Sequence, residues 1–283
     1  MLRILRKDPA KDPRVFQIHH LSMEDTGSYW PWSFNARLTN PTPPGDIDVN
    51  GTFGPWNADE PSQTPLKAGY TFADANLGAF EGIRGILQSK GSFGGVLERI
   101  AVNGGADVPD FALSDVGTLV PLTTRFHSIV DGTNGNTWLN PVDATLGKTI
   151  IRASGGVVER EGEHGRVVEL DVVIDEGRIE DILRLAVKSS QPAMTGGLKM
   201  KTKMVLPPGK GDAVQKLDLD GTFEIATAHF SGGGVQARIN DLSRRARGRP
   251  EAPAQNVASD FKGRFVMHRG TIRFSNVSFA VPG

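Results

Sequence analysis

Apolar and polar residues alternate with a period of two along much of the chain. The clearest apolar sets are Val168, Leu170, Val172 and Ile174, then Leu198, Met200, Met204 and Leu206, and then Leu217, Leu219, Phe223 and Ile225. A period of two is that of a β-strand with one apolar and one solvated face, as antiparallel sheets have. The pattern therefore predicts a mainly β protein.

Eight further segments are predicted as strands from the same signals. They are 15–21, 33–39, 46–53, 96–102, 122–130, 150–158, 261–267 and 271–281. In the last one the apolar positions shift from Ile272 and Phe274 to Val277 and Phe279, which predicts a bulge or a tight turn. Residues 131–136 have the composition of a hairpin tip, and 161–165 that of an exposed turn.

Three segments have apolar residues at helical spacing, namely 74–87, 177–187 and 235–247. In the third, Val235, Ile239 and Leu242 form the apolar stripe. The glycines at 78, 82 and 85 weaken the first. Helices this short cannot cover a parallel sheet, so a doubly wound α/β fold is not expected.

A weak repeat of the form Gly-x-Phe runs through the chain. It occurs at 51–53, 91–93, 221–223 and 263–265. The first two copies lie about 40 residues apart, as do the last two, a span typical of stacked β units. Such repetition favours an elongated sheet that grows by addition of strands.

Composition removes several classes of function. The 283 residues contain 32 basic and 32 acidic side chains, so no overall field attracts nucleic acid, and we expect no nucleic-acid partner. Cysteine is absent, which excludes disulfides and thiolate chemistry. His19 and His20 are adjacent on a predicted strand and point to opposite faces, so we expect no metal site there. We also expect no cofactor and no catalytic residues.

Several short motifs, in order, carry a resemblance to a known family. They include Leu38-Thr39-Asn40-Pro41, Gly51-Thr52-Phe53-Gly54-Pro55-Trp56, Gly82-Ile83-Arg84-Gly85-Ile86-Leu87, Arg178-Ile179-Glu180-Asp181-Ile182-Leu183, Leu206-Pro207-Pro208-Gly209 and Phe279-Ala280-Val281-Pro282-Gly283. Together they resemble the C-terminal part of bacterial AsmA-like proteins, from about Phe16 onward.

The resemblance implies one AsmA-like β-rich domain over residues 1–283, as a fragment of a longer envelope protein. The family is related to TamB and to the eukaryotic bridge-like lipid transfer proteins. It implies an elongated, curved antiparallel sheet that forms a taco-like groove, a periplasmic location, and inner-membrane anchoring by a segment absent from this chain. From the residues alone, a closed β-sandwich is the somewhat better expectation, and the resemblance reverses that order.

The function expected on this basis is non-catalytic holding or transfer of phospholipid, in support of outer-membrane lipid homeostasis. The predicted lining residues are Val168, Leu170, Val172, Ile174, Leu198, Met200, Met204 and Leu206, for which ordinary core packing is the alternative. Arg244, Arg245 and Arg247 are predicted to contact headgroups, unless they form a solvated helix end. The rival function is a structural module that binds other envelope proteins through an exposed strand edge.

Overall fold

The chain forms one open antiparallel sheet. The computed structural model describes residues 2–4, 14–24, 27, 29–113, 118–160, 165–187, 191–248 and 257–281. The strands are β1 (Leu2–Ile4), β2 (Arg14–Glu24), β3 (Trp32–Pro41), β4 (Pro44–Phe53), β5 (Pro65–Asn76), β6 (Ile83–Arg84), β7 (Ile86–Val96), β8 (Arg99–Leu113), β9 (Val120–Val130), β10 (Thr137–Leu146), β11 (Thr149–Glu159), β12 (Arg166–Arg178), β13 (Met194–Leu206), β14 (Asp218–Phe230), β15 (Ser259–His268) and β16 (Thr271–Ala280).

Fifteen of these strands lie side by side in chain order, with β1 and β16 at the two edges. The short strand β6 lies off this path and pairs with the end of β8. Each strand therefore pairs with its neighbours in sequence, and the sheet grows by simple addition. The expected elongated antiparallel sheet with few helices is confirmed, and the alternative of a closed sandwich of two sheets is wrong.

Three short α-helices accompany the sheet within the described residues: α1 (Ile179–Ala186), α2 (Ala213–Lys216) and α3 (Gly233–Ala246). The predictions at 177–187 and 235–247 are confirmed as α1 and α3. The helix predicted over 74–87 is wrong, because β5 continues to Asn76 and β7 begins at Ile86, with a 3₁₀ turn over Leu77–Ala79 between them. Gly82 and Gly85 have φ angles of 95° and 137°, which no α-helix contains.

One strand prediction is also wrong. Residues 96–102 span the turn between β7 and β8, which lies at 97–98. The amides of Leu97 and Glu98 donate to the carbonyl oxygens of Thr64 and Ser62, 3.1 and 3.0 Å away. The turn is thus fixed by a loop distant in sequence, and that partner leaves no local signal.

The other strand predictions are confirmed to within a few residues. The hairpin tip at 131–136 joins β9 to β10, and the Asp131 carboxylate accepts hydrogen bonds from the Thr133 amide and hydroxyl at 2.9 and 2.6 Å. The Thr133 hydroxyl bond holds the pKa of Asp131 below its ordinary value. Of the predicted turn at 161–165, residues 161–164 lie outside the described residues.

Cross-strand pairing sorts the side chains onto two faces. Directly paired residues of an antiparallel sheet share a face, so one register row can be followed across fourteen strands. Its members are Met23, Phe34, Gly51, Ala68, Phe93, Val102, Ser128, Leu139, Gly155, Leu170, Met204, Leu219, Met267 and Ile272. We call the face that carries this row the apolar face.

The opposite face is charged over most of its length, and we call it the polar face. An equivalent row there consists of His20, Arg37, Asp48, Thr71, Lys90, Gly105, Arg125, Asp143, Arg152, Val173, Lys201, Thr222, Arg264 and Ser275. Arg37 and Asp48 form an exposed ion pair at 2.7 Å, and so do Arg152 and Asp143 at 3.1 Å. Pairs this exposed contribute little to stability, and the face is solvated.

Glycines on the apolar face show which way the sheet curves. A β-carbon on Gly51 would lie 2.5 Å from the Cβ of Ala68 on the next strand, and one on Gly221 would lie 2.6 Å from the Cβ of Thr202. On the polar face, a β-carbon on Gly69 would find its nearest neighbour 3.9 Å away. Neighbouring strands therefore converge on the apolar side, which is the concave side at these positions.

A glycine-to-alanine pair tests this curvature. Gly51→Ala on the apolar face should lower the free energy of unfolding by about 1–3 kcal/mol, because the methyl group meets the backbone of β5. The matched change Gly69→Ala, on the polar face of β5, should stay within about 0.5 kcal/mol of the wild type. Urea unfolding measures both. Equal losses would contradict a concave apolar face.

Candidate functional site

The apolar face is half-buried rather than sealed. Along β4 and β7 the residues of this face are half-buried, while most of those between them are exposed. Among the described residues, the only large apolar side chains below 2% exposure are Ile174, Val120 and Val167. A second sheet would bury such a face completely, so no other layer of the described structure covers most of it.

The eight residues predicted to line a groove lie together on this face. Val168 pairs with Leu206, Leu170 with Met204, and Ile174 with Met200, across β12 and β13. Val172 faces Thr202, and Leu198 lies opposite Gly177 beyond a bulge. They therefore form one apolar strip two strands wide, as their alternation suggests.

Two of the eight are buried in the small core beneath α1. Ile174 and Leu198 are 1% and 3% exposed and pack with Ile179, Ile225 and Ala228. Ile182 and Leu183 of α1 pack against the same cluster. These two residues stabilise the fold, whereas the other six are only partly buried.

A buried carboxylate fixes α1 in place. Asp181 is 2% exposed and accepts hydrogen bonds from the Thr149 hydroxyl and the Lys148 amide, both at 2.9 Å. Near the other end of the helix, the Arg184 carbonyl accepts a hydrogen bond from the Thr118 amide at 2.8 Å. The helix contacts β13 as well as β8 and β9. It thus lies across one end of the concave face.

Several hydroxyls on the apolar face donate hydrogen bonds to backbone carbonyls. Ser89 donates to the Gly105 carbonyl at 2.9 Å, and Thr202 to the Asp220 carbonyl at 3.1 Å. Thr124 makes a longer bond of 3.4 Å to Ala106. A hydroxyl that bonds the adjacent strand presents mainly carbon to its surroundings, so the face is more apolar than its sequence suggests.

Aromatic rings extend this face far beyond β12 and β13, and the sequence-based prediction of lining residues missed them. Tyr70 and Phe93 lie 6.4 Å apart, Trp32 and Phe53 5.9 Å apart, and Phe261 and Phe279 4.8 Å apart. The Gly-x-Phe repeat is the signal that could have found Phe53 and Phe93 among these rings. Residues two apart on a strand share a face, so each copy places a glycine and a phenylalanine together on the apolar side.

The predicted headgroup cluster lies at the C-terminal end of α3. Arg244 and Arg245 each form an ion pair with Asp241, at 3.1 and 2.8 Å. Arg247 is exposed just beyond the helix. Of the predicted apolar stripe, only Ile239 is buried, at 6% exposure, while Val235 and Leu242 face outward.

A large depression lies mainly on the polar face. It has a volume of about 1280 Å³ and is lined mainly by polar-face residues of β5 and β7–β11, among them Lys90, Asn103, Arg125 and Asp143. A twisted sheet is saddle-shaped, so its outer face is concave along one diagonal. The side chains named here are all exposed, and a solvated hollow of this kind has no built binding site.

The described residues contain neither a metal-ligand cluster nor a membrane-spanning helix. They contain no group of three or more His, Asp or Glu side chains that could hold a metal ion. Within the same ranges, no helix has the length and apolarity needed to cross a membrane. Comparison of the chain with protein families, with functionally characterised proteins and with solved structures finds no match.

The anchor of α1 can be tested by substitution. Asp181→Ala removes the acceptor of the Lys148 amide and the shorter of the two hydrogen bonds that the Thr149 hydroxyl can donate, the other going to the Arg178 carbonyl at 3.3 Å. We therefore expect a loss of about 1–3 kcal/mol in the free energy of unfolding. The control Asp143→Ala removes an exposed pair with Arg152 and should cost less than about 1 kcal/mol. Chemical denaturation of both variants checks this, and similar small effects would show that Asp181 does not anchor the helix.

Proposed function

We propose that the protein holds or transfers lipid, with acyl chains lying on the apolar face. The observation that supports this most is the register row from Met23 to Ile272, apolar at most of its positions, on a concave face that no second layer of the described residues covers over most of its length. Exposed apolar surfaces of this extent are typical of sites that receive an apolar partner. No chemical step is part of the proposal.

The dimensions of the face suit hydrocarbon chains. Fourteen strands at the usual spacing of about 4.8 Å give a row of about 60 Å. One bilayer leaflet contributes about 15 Å of hydrocarbon, so several chains fit end to end. Each buried methylene contributes about 0.8 kcal/mol, so affinity would come from chain length rather than from specific polar contacts.

The proposed setting is the cell envelope. The resemblance to AsmA-like proteins supports a periplasmic role in outer-membrane lipid homeostasis, with inner-membrane anchoring by a segment outside this chain. Flexible methionines at 200 and 204 suit a surface that accepts varied chains.

The first test is native mass spectrometry of the purified chain, with lipid extraction from the same sample. We expect phospholipid retained at a near-stoichiometric ratio. A folded chain that carries no lipid, and that takes none up from added phospholipid, would contradict the proposal.

A pair of variants on β12 locates the bound lipid. Leu170→Asp puts a charge on the apolar face and should reduce retained phospholipid about tenfold or more, since each 1.4 kcal/mol lost is a factor of ten. Val173→Asp places the same charge on the polar face, between Arg152 and Lys201, and should retain lipid as the wild type does. Circular dichroism confirms that both variants are folded. Equal retention by the two variants would place the lipid elsewhere.

A scaffolding function is the second candidate, and the edge strand β16 supports it. All ten residues of β16 are exposed, including Phe274 at 61%. An exposed strand edge is a template for pairing with another chain. The mass spectrometry experiment separates the two candidates, because a lipid-free chain that captures a protein partner would favour the scaffold.

A further inference from the structure

Helix α3 is attached to the sheet through its polar side. Gln236, Asn240 and Ser243 are buried, at 7%, 7% and 1% exposure. The Gln236 amide group accepts from the Phe230 amide at 2.9 Å and donates to the Val257 carbonyl at 3.0 Å, and the Asn240 side chain accepts from the Val257 amide at 3.1 Å. These side-chain hydrogen bonds fix the rotation of the helix about its axis.

The side that faces away from the sheet is apolar and basic. Val235 and Leu242 are 49% and 52% exposed, and lie two turns apart on one stripe. Arg238 and Arg245 are exposed on the same stripe. Residues 233–248 contain four arginines and a single acidic residue, Asp241, which gives a net charge of +3. A surface helix normally shows the reverse arrangement, with its apolar residues inward.

We propose that this outer side of α3 docks on the surface of an anionic lipid bilayer. Two apolar side chains flanked by arginines form the pattern of a helix that lies in the membrane interface. The excess of positive charge favours anionic headgroups and selects against a neutral surface. This inference deepens the proposed lipid function and rests on it: α3 would hold the end of the apolar face against a membrane from which chains enter or leave.

The position of α3 in the fold agrees with this role. Helix α1 follows β12 and α3 follows β14. In an antiparallel sheet, every second connection lies at the same ends of the strands. Both helices therefore lie at one rim of the sheet, where the concave apolar face ends. A bilayer at this rim would meet that end of the face.

A fluorescent probe tests the contact directly. The chain has no cysteine, so Leu242→Cys labelled with the polarity-sensitive dye NBD carries a single probe. With vesicles of phosphatidylcholine and phosphatidylglycerol in equal parts, we expect a blue shift and increased emission, and with phosphatidylcholine alone neither. Val266→Cys, at a site of similar exposure (42%) on the polar face and near the opposite ends of the strands, is the control. No change at position 242, or an equal change at both sites, would overturn the proposal.

Substitutions give a second, independent readout. Leu242→Asp should weaken co-sedimentation with the anionic vesicles about tenfold, and Val266→Asp, which adds the same charge at the control site, should not. Arg238→Gln should weaken it about fivefold, which corresponds to about 1 kcal/mol for one basic residue near the surface. If the Leu242→Asp variant bound these vesicles as strongly as the wild type, a role for α3 would be contradicted.

The two proposals fail separately. Leu242→Asp should retain co-purified phospholipid on the apolar face, whereas Leu170→Asp should lose it and still bind anionic vesicles. A chain that never carries lipid but binds vesicles through α3 would overturn the proposed function alone. A chain that carries lipid but shows no vesicle contact at α3 would overturn this inference alone.

Discussion

The whole structure depends on keeping one set of side chains on the same face through thirteen successive strand pairings. A slip of one residue in any pairing would turn the apolar set of the next strand to the opposite face. Bulges prevent this wherever the sequence changes phase. The apolar positions step by three from Phe72 to Ala75, from Leu139 to Val142 and from Ile225 to Ala228, and the register shifts at each of these points. Three residues, Asp74, Thr227 and Asn276, have φ near +50° at such steps, so backbone strain is localised where the phase is corrected.

Curvature is the second consequence of that arrangement. When strands converge on the apolar side, there is no room for a β-carbon at every position, and Gly51, Gly91, Gly155 and Gly221 are among the tightest approaches. Neighbouring rings fill the space that they leave: a β-carbon on Gly104 would meet both Phe126 and Tyr70 at 2.9 Å. Glycine permits the bend and an aromatic ring restores the apolar contact. The Gly-x-Phe repeat is therefore a feature of curvature as much as of strand length.

Sequence reasoning found strands such as β12, whose apolar positions carry large side chains, and missed β5, β7, most of β8 and β10. On β12 the alternation of valine, leucine and isoleucine is plain. On β7 and β8 the same face carries Ser89, Gly91, Gly104 and Ala106, which no hydrophobic pattern reveals. For the same reason the predicted site was confined to β12 and β13. The orientation of α3 was beyond reach, because Gln236 and Asn240 are bound by Val257, and nothing local to the helix specifies that partner.

The apolar face is a well-ordered surface that stays accessible, and not a core whose packing is incomplete. The hydroxyls of Ser89, Thr124 and Thr202 donate to the backbone of adjacent strands. The glycines of this face are placed where curvature needs them, and its register is corrected at each change of phase. Each of these features improves an apolar concave surface, and none of them supplies a cover. Among the described residues, the eight-residue helix α1 lies on part of it, fixed by a buried carboxylate at one end. An apolar surface so fully specified, and so little covered by the described residues, is the feature on which the proposed lipid function rests.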